Sequence, residues 1–207
     1  MKYSIQTIVC GAYQENCYML CPEGSSDALL IDPGDDLFAL KRALSENGKT
    51  LKAILLTHGH FDHILSAEAL SRITGAPVYV HEKDEELLCD DVKNGYNAMC
   101  STQPSPTALV ADFLEDTISI SGISFKVLHT PGHTKGSVCF YDAENAALFS
   151  GDTLFCAGFG RMDFYGGSPA SMRQSLRMLF NLPGNTRVYS GHGCETTIAA
   201  ERQRYNL

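Results

Sequence analysis

The 207 residues carry a net charge of −8, with 44% apolar and 19% charged side chains; this describes an ordinary globular chain, read as one domain over 1–207, able to bury a core without covalent staples. The acidic balance and the lack of any Lys/Arg run exclude a general nucleic-acid or membrane-surface binder, since both need basic patches. No apolar stretch approaches a membrane span, and Met1-Lys2-Tyr3-Ser4-Ile5-Gln6-Thr7 lacks the apolar core of an export signal, so a cytoplasmic location is expected.

Residues 4–10 alternate weakly and read as a first strand. Cys17-Tyr18-Met19-Leu20 and Ala28-Leu29-Leu30-Ile31 read as the next two, joined by a turn at Pro22-Glu23-Gly24-Ser25-Ser26. The third ends at Asp32-Pro33-Gly34, where Asp32 is either turn chemistry or a partner that orients a histidine. Asp35 or Asp36 caps a helix with Leu37, Leu40 and Leu44 on one stripe, and Gly48 suits its stop. Ala53-Ile54-Leu55-Leu56 reads as a buried strand, and it runs into Thr57-His58-Gly59-His60-Phe61-Asp62-His63. A helix then passes through Ala67, Leu70 and Ile73 to Gly75, and Pro77 to Val80 is a short strand. His81 is a helix-entry or surface residue ahead of the acidic stretch Glu82 to Glu86.

Residues 89–107 hold Asn94-Gly95, Pro104 and Pro106 without clear periodicity, so they read as a long loop of the kind that serves as a lid or binding element. Within it Tyr96 and Met99 either face a substrate or pin the loop to the core. Thr117 to Ile120 and Ile123 to Val127 form a hairpin about Ser121-Gly122. The second strand leads into Leu128-His129-Thr130-Pro131-Gly132-His133-Thr134. Ser137 to Tyr141 and Ala147 to Ser150 are further strands, the latter ending at Gly151-Asp152-Thr153. Ser168-Pro169 opens a helix with a buried stripe of Met172, Leu176 and Leu179. Arg187 to Ser190 is a last strand before Gly191-His192-Gly193, and a short polar helix closes the chain.

Eight cysteines (Cys10, Cys17, Cys21, Cys89, Cys100, Cys139, Cys156, Cys194) include no Cys-x-x-Cys pair. They are expected to be reduced thiols, most of them small core residues. Strand ends at 57, 129, 150 and 190 all open into loops bearing His or Asp, so one site at one edge is expected. Imidazole with carboxylate suits zinc, iron or manganese. His58, His60 and His133 complete one coordination sphere, Asp62, His63 and His192 a second, and Asp152 bridges the two.

With these pieces assembled, the sequence resembles the metallo-β-lactamase fold superfamily. The resemblance rests on the 57–63, 129–134, 150–153 and 191–193 segments and covers nearly the whole chain. In Asn16-Cys17-Tyr18, Ile31-Asp32-Pro33-Gly34, Gly160-Arg161-Met162-Asp163 and Thr196-Thr197-Ile198 it is similar to the glyoxalase II-type branch. It implies an α/β fold of four layers, an αββα sandwich, with two divalent metal ions, zinc first and iron or manganese as alternatives. Arg161 matches a basic position that in the family contacts glutathione; otherwise it is a loop salt bridge with Asp163. The sequence departs from that branch in two ways. The chain stops fifteen residues after His192, without room for the family's helical C-terminal domain, and Cys194 stands where those enzymes have tyrosine.

The implied activity is hydrolysis of a thioester such as S-lactoylglutathione through a metal-bridging hydroxide, with Asp152 positioning the ions and Asp62 orienting the hydroxide. Two divalent ions outweigh the carboxylates and hydroxide around them, so the site attracts a small anionic substrate although the protein is acidic. The alternatives are a mononuclear-iron persulfide dioxygenase on the same fold and a metallohydrolase of another small ester or lactone. A closed structural metal site is disfavoured, because seven ligand-type side chains exceed what such a site uses.

Overall fold

The computed structural model describes residues 1–99 and 109–205. The strands are β1 (Tyr3–Cys10), β2 (Glu15–Pro22), β3 (Asp27–Ile31), β4 (Thr50–Leu55), β5 (Val78–Val80), β6 (Asp112–Phe113), β7 (Thr117–Ile120), β8 (Ile123–His129), β9 (Val138–Asp142), β10 (Ala147–Gly151), β11 (Arg187–Ser190) and β12 (Thr196–Thr197). The helices are α1 (Leu37–Glu46), α2 (Phe61–Ile64), α3 (Ala67–Thr74), α4 (Tyr96–Met99), α5 (Pro169–Leu179) and α6 (Ile198–Tyr205). Strands β1 to β6 form one six-stranded sheet in chain order, and β12 to β7 form a second in the order β12-β11-β10-β9-β8-β7. None of the described helices is long and apolar enough to cross a membrane.

The period-two alternation of the strands builds the layers. On β2, Tyr18 and Leu20 point into one core while Cys17, Met19 and Cys21 point into another. The first of these cores lies between the sheets, where Tyr18, Leu20, Leu29, Ile31 and Leu55 meet Phe125, Phe140, Phe149 and Tyr189. The second lies between the first sheet and α1 and α3, through Leu40, Leu44, Ala67 and Leu70. A third lies on the outer face of the second sheet, where Cys139, Leu148 and Val188 meet Met172, Leu176, Leu179 and Ile198. Both faces of the central strands are thus covered, giving the helix–sheet–sheet–helix order of the expected α/β sandwich.

Local chemistry sets the boundaries. Asp36, not Asp35, caps α1 by accepting the Ala39 N–H at 2.9 Å. Gly75 ends α3 in the left-handed conformation at φ 74°. Ser168 caps α5, with Pro169 in its first turn. On α3, Ala67 and Leu70 are buried and Ile73 is exposed. The 89–107 region is not wholly irregular, since α4 forms within it. Its 100–107 portion lies outside the described residues.

Candidate metal centre

Strands β3, β4, β8, β10 and β11 all end at the same edge of the sandwich, and the loops leaving them bring the candidate side chains together. After β4, the chain from Thr57 enters α2, which places Asp62 in its first turn and His63 in its last. The structure gathers His58, His60 and His133 as one group able to hold an ion, and Asp62, His63 and His192 as another, with the ligand atoms of each group within 4.8 Å of one another. Asp152 lies between the groups. Its Oδ1 is 3.4 Å from His63 Nε2, and its Oδ2 is 3.5 Å from His133 Nε2 and 3.7 Å from His192 Nε2. Asp62 Oδ2 is 3.4 Å from His192 Nε2.

The surrounding hydrogen bonds fix which ring nitrogen faces inward. The Thr57 N–H and hydroxyl both donate to Asp32, at 2.7 and 2.6 Å. The Thr57 oxygen is therefore left to accept from His58 Nδ1 at 3.0 Å. His63 Nδ1 donates to Asp32 at 3.0 Å, His133 Nδ1 to the Arg161 carbonyl at 2.6 Å, and His192 Nδ1 to the Tyr13 carbonyl at 3.2 Å. In all four rings Nε2 is then the nitrogen turned into the site. His60 is the exception, with Nδ1 turned inward, 2.7 Å from His133 Nε2. Asp32 has φ 51°, so it serves the turn as well as orienting His63.

Burial leaves these atoms short of hydrogen bonds. His58 Nε2 is buried without one among the described residues, and so are His63 Nε2 and Asp152 Oδ1, whose contact with each other at 3.4 Å is an ion pair only, a costly arrangement unless something else satisfies them. Burial and the neighbouring imidazoles push His58 well below the usual histidine range, and burial with His133 takes His60 down to about 3. Neutral rings with inward lone pairs are what a metal ion requires. Burial alone would raise Asp152, but His63, His133 and His192 overcome it and hold the carboxylate well below its usual range. Burial would lower His63, yet Asp152, Asp62 and Asp32 raise it well above. The donor set, imidazole and carboxylate without thiolate, suits zinc, iron or manganese.

Close approach of the loops restricts two glycines. A Cβ on Gly191 would meet the Asp152 carboxylate and, at 2.7 Å, the His63 ring; Gly151, at φ 48°, packs against the Thr57 side chain. The His192 loop is tied to β2 by Asn16, whose Nδ2 donates to the Ser190 and Gly193 carbonyls at 3.0 Å each, and by the Tyr18 hydroxyl, which donates to Ser190 O at 2.6 Å. The Asn16-Cys17-Tyr18 segment is thereby explained.

Arg161 reaches the cavity but is already engaged. Its guanidinium donates to both oxygens of Asp163 at 2.7 Å and stacks 3.9 Å over the Phe164 ring, with the side chain 47% exposed. Of the two sequence readings of Arg161, the loop ion pair with Asp163 is present, and the residue also lines the cavity. The open cavity over the cluster measures about 170 Å³, walled by Tyr13, Phe61, Met99 and Phe164. Met99 faces the cavity, whereas Tyr96 is buried against Phe61 at 5.8 Å and pins the segment. His81 caps the turn after β5 and stacks on His129 at 4.3 Å, away from the cluster.

Three residues escape the sequence reading. Asp84, in the acidic stretch, is fully buried. It accepts the Gly59 N–H at 3.0 Å, the Gly136 N–H at 2.6 Å and the Thr134 hydroxyl at 2.7 Å, fastening the His58/His60 loop to the His133 loop. Its only sequence signal is its place three and four residues before Leu87 and Leu88. Glu15 is fully buried 3.8 Å from His63 Nδ1, and burial pushes its carboxyl well above the usual range. Tyr13 supplies both a cavity wall and the carbonyl that orients His192.

Comparison with known proteins agrees with this geometry. The metallo-β-lactamase superfamily model matches residues 10–192. The hydroxyacylglutathione hydrolase GloC of Haemophilus influenzae is 32% identical over 205 residues, spanning 97% of this chain and 95% of its own. The crystal structure of BLEG-1 B3 metallo-β-lactamase superposes with a TM-score of 0.91 at 40% identity, covering 97% of each chain. The structure of TTHA1623 in a di-iron-bound form does so with a TM-score of 0.86 at 38% identity, over 96% of this chain and 97% of that one. The chain belongs to the metallo-β-lactamase superfamily.

Proposed function

We propose that this protein is a binuclear metal-dependent hydrolase of a small anionic thioester such as S-lactoylglutathione. The observation that carries the reading is the gathering of six buried or half-buried ligand-type side chains into two groups about Asp152, with inward nitrogens and a buried carboxylate oxygen that makes no hydrogen bond among the described residues. His58, His60 and His133 would hold one ion, Asp62, His63 and His192 the other, and Asp152 both. Bound there, the two ions would supply a water that ionises near neutrality and polarise the substrate carbonyl. Zinc, iron and manganese all fit the donor set, and the likeness to a di-iron-bound structure keeps iron in the comparison.

The chain's own groups do the rest. Asp62, whose side chain reaches the cavity wall, orients the attacking water through a carboxylate oxygen. Tyr13, Phe61, Met99 and Phe164 exclude solvent from the acyl and sulfur atoms. A cavity of about 170 Å³ is smaller than the ~300 Å³ at which whole-ligand pockets begin. The thioester end therefore enters and the charged remainder stays at the rim, where Arg161 exchanges Asp163 for a substrate carboxylate. The glutathione link is supported by the likeness to GloC.

A second reading, hydrolysis of a β-lactam amide, is favoured by the superposition on BLEG-1. Steady-state hydrolysis of S-lactoylglutathione, a β-lactam, a lactone and a neutral ester on metal-counted protein, with oxygen uptake on glutathione persulfide, separates the readings. Turnover of the thioester above the others is expected. No thioester turnover by fully loaded protein overturns the proposal.

A further inference from the structure

A second set of reactive side chains lies beside the histidine cluster. β10 and β11 are parallel neighbours, so the loops leaving their C-terminal ends run side by side. Cys156 sits in the first, within the turn that Phe155 N–H closes onto Gly158 O at 2.8 Å. Cys194 sits in the second, just past Gly193 at φ 79°. Both are free thiols, Cys194 exposed and Cys156 partly so, and the two side chains come within interaction range of each other. The alignment is held from behind. Buried Glu201 of α6 accepts the Ala157 N–H at 3.1 Å through Oε2 and the Thr196 hydroxyl at 2.7 Å through Oε1, so one carboxylate fastens both loops within two residues of each sulfur. Cys10 and Cys17 also come within interaction range of each other, but both are buried, as are Cys21 and Cys139. Cys89 is exposed, on the stretch after β5.

We propose that Cys156 and Cys194 form a redox-active dithiol, a modification site that takes up a low-molecular-weight disulfide and closes to an intramolecular disulfide. Cys194, the more accessible sulfur, loses its proton to solvent and attacks one sulfur of the small disulfide. That S–S bond breaks, a mixed disulfide forms on Cys194, and the departing thiolate takes up a proton. Cys156 then loses its proton, attacks the Cys194 sulfur and expels the second small thiol. Two protein thiols are oxidised and one small disulfide is reduced to two thiols, with no other reagent needed. The ring so closed joins the His192 loop to the Phe155 loop, where the Phe155 and His192 rings already meet edge-on at 6.1 Å. His192, at 26%, has the most exposed side chain of the histidines in the two metal groups, so the staple closes on the loop that carries the most exposed of these rings.

The test is to equilibrate the full-length protein, as purified, with oxidised glutathione in excess over reduced, then to trap free thiols in acid and map the peptides by mass. The proposal expects the loss of two hydrogens and a peptide joining Cys156 to Cys194. Cys156→Ser should stop with one glutathione on Cys194, and Cys194→Ser should yield no internal cross-link. Wild-type protein that shows no joined peptide overturns the proposal, whether it stays reduced or carries glutathione on Cys89 alone. One glutathione each on Cys156 and Cys194 also overturns it, since the two would then react as unrelated thiols.

Discussion

Asp84→Ala tests whether a residue outside the metal groups holds them in register. In the native protein, Asp84 satisfies two backbone N–H groups and one hydroxyl, all buried. Thr134 retains Ser137 Oγ at 2.7 Å, so the substitution strands only the Gly59 and Gly136 donors. A stranded buried donor costs about 1–3 kcal/mol, giving about 2–6 kcal/mol for the two. Part of this is returned, because burial outweighs the hydrogen bonds and raises the Asp84 pKa, so the carboxylate itself is expensive to keep buried. The expected net loss is about 2–4 kcal/mol, read as a lower urea midpoint at unchanged slope. Asp84→Asn keeps one acceptor oxygen but turns an NH₂ towards a donor, so it should fall between wild type and Ala. Gly59 lies between His58 and His60, and Thr134 follows His133, so the folded variant should also bind metal about 10–100-fold more weakly. Unchanged midpoint and unchanged metal affinity would refute the reasoning. Lower stability with native affinity would make Asp84 a core residue that does not register the two loops.

Asp152→Ala should abolish turnover and lower the metal count per chain, whereas His81→Ala, which removes a turn cap outside both metal groups and the cavity lining, should do neither; elemental analysis and thioester hydrolysis on both variants check this. Chelation should lower the Tm, and zinc, iron or manganese restored at a hundred times its Kd should return about 2.7 kcal/mol of stability for each ion bound. Arg161→Ala should raise KM for S-lactoylglutathione with a smaller change in kcat and spare a neutral ester. The exposed, pre-paired guanidinium limits that loss to about 0.2–1 kcal/mol, a few-fold in KM. Gly191→Ala should displace the Asp152 carboxylate or the His63 ring, and reduced metal content in a folded variant is the expected readout.

The sequence by itself determined most of the strands and most of the cluster, while the four layers were implied by its resemblance to the superfamily. Period-two alternation in β2, β4, β9 and β10 assigns each strand's side chains to two cores, because a pleated strand can face only two ways. His58, His60, Asp62 and His63 are legible because four ligand types crowd six residues. His133, Asp152 and His192 are legible because each follows a strand end. Other features are fixed only by contacts between distant parts of the chain. Asp32 was open between turn and partner until β3 and β4 paired and brought it to Thr57 and His63. Asp84 looked like part of a solvated acidic run, and only the fold brings it to Gly136 and Thr134, fifty residues on. Cys156 and Cys194 become a pair only because β10 and β11 run parallel and Glu201 holds both loops. Arg161 could not be assigned from its motif, since the pairing with Asp163 and the stacking on Phe164 depend on where the loop lies over the cavity. Local pattern records what one segment needs to bury; which buried groups then face each other is decided by strand order and loop packing.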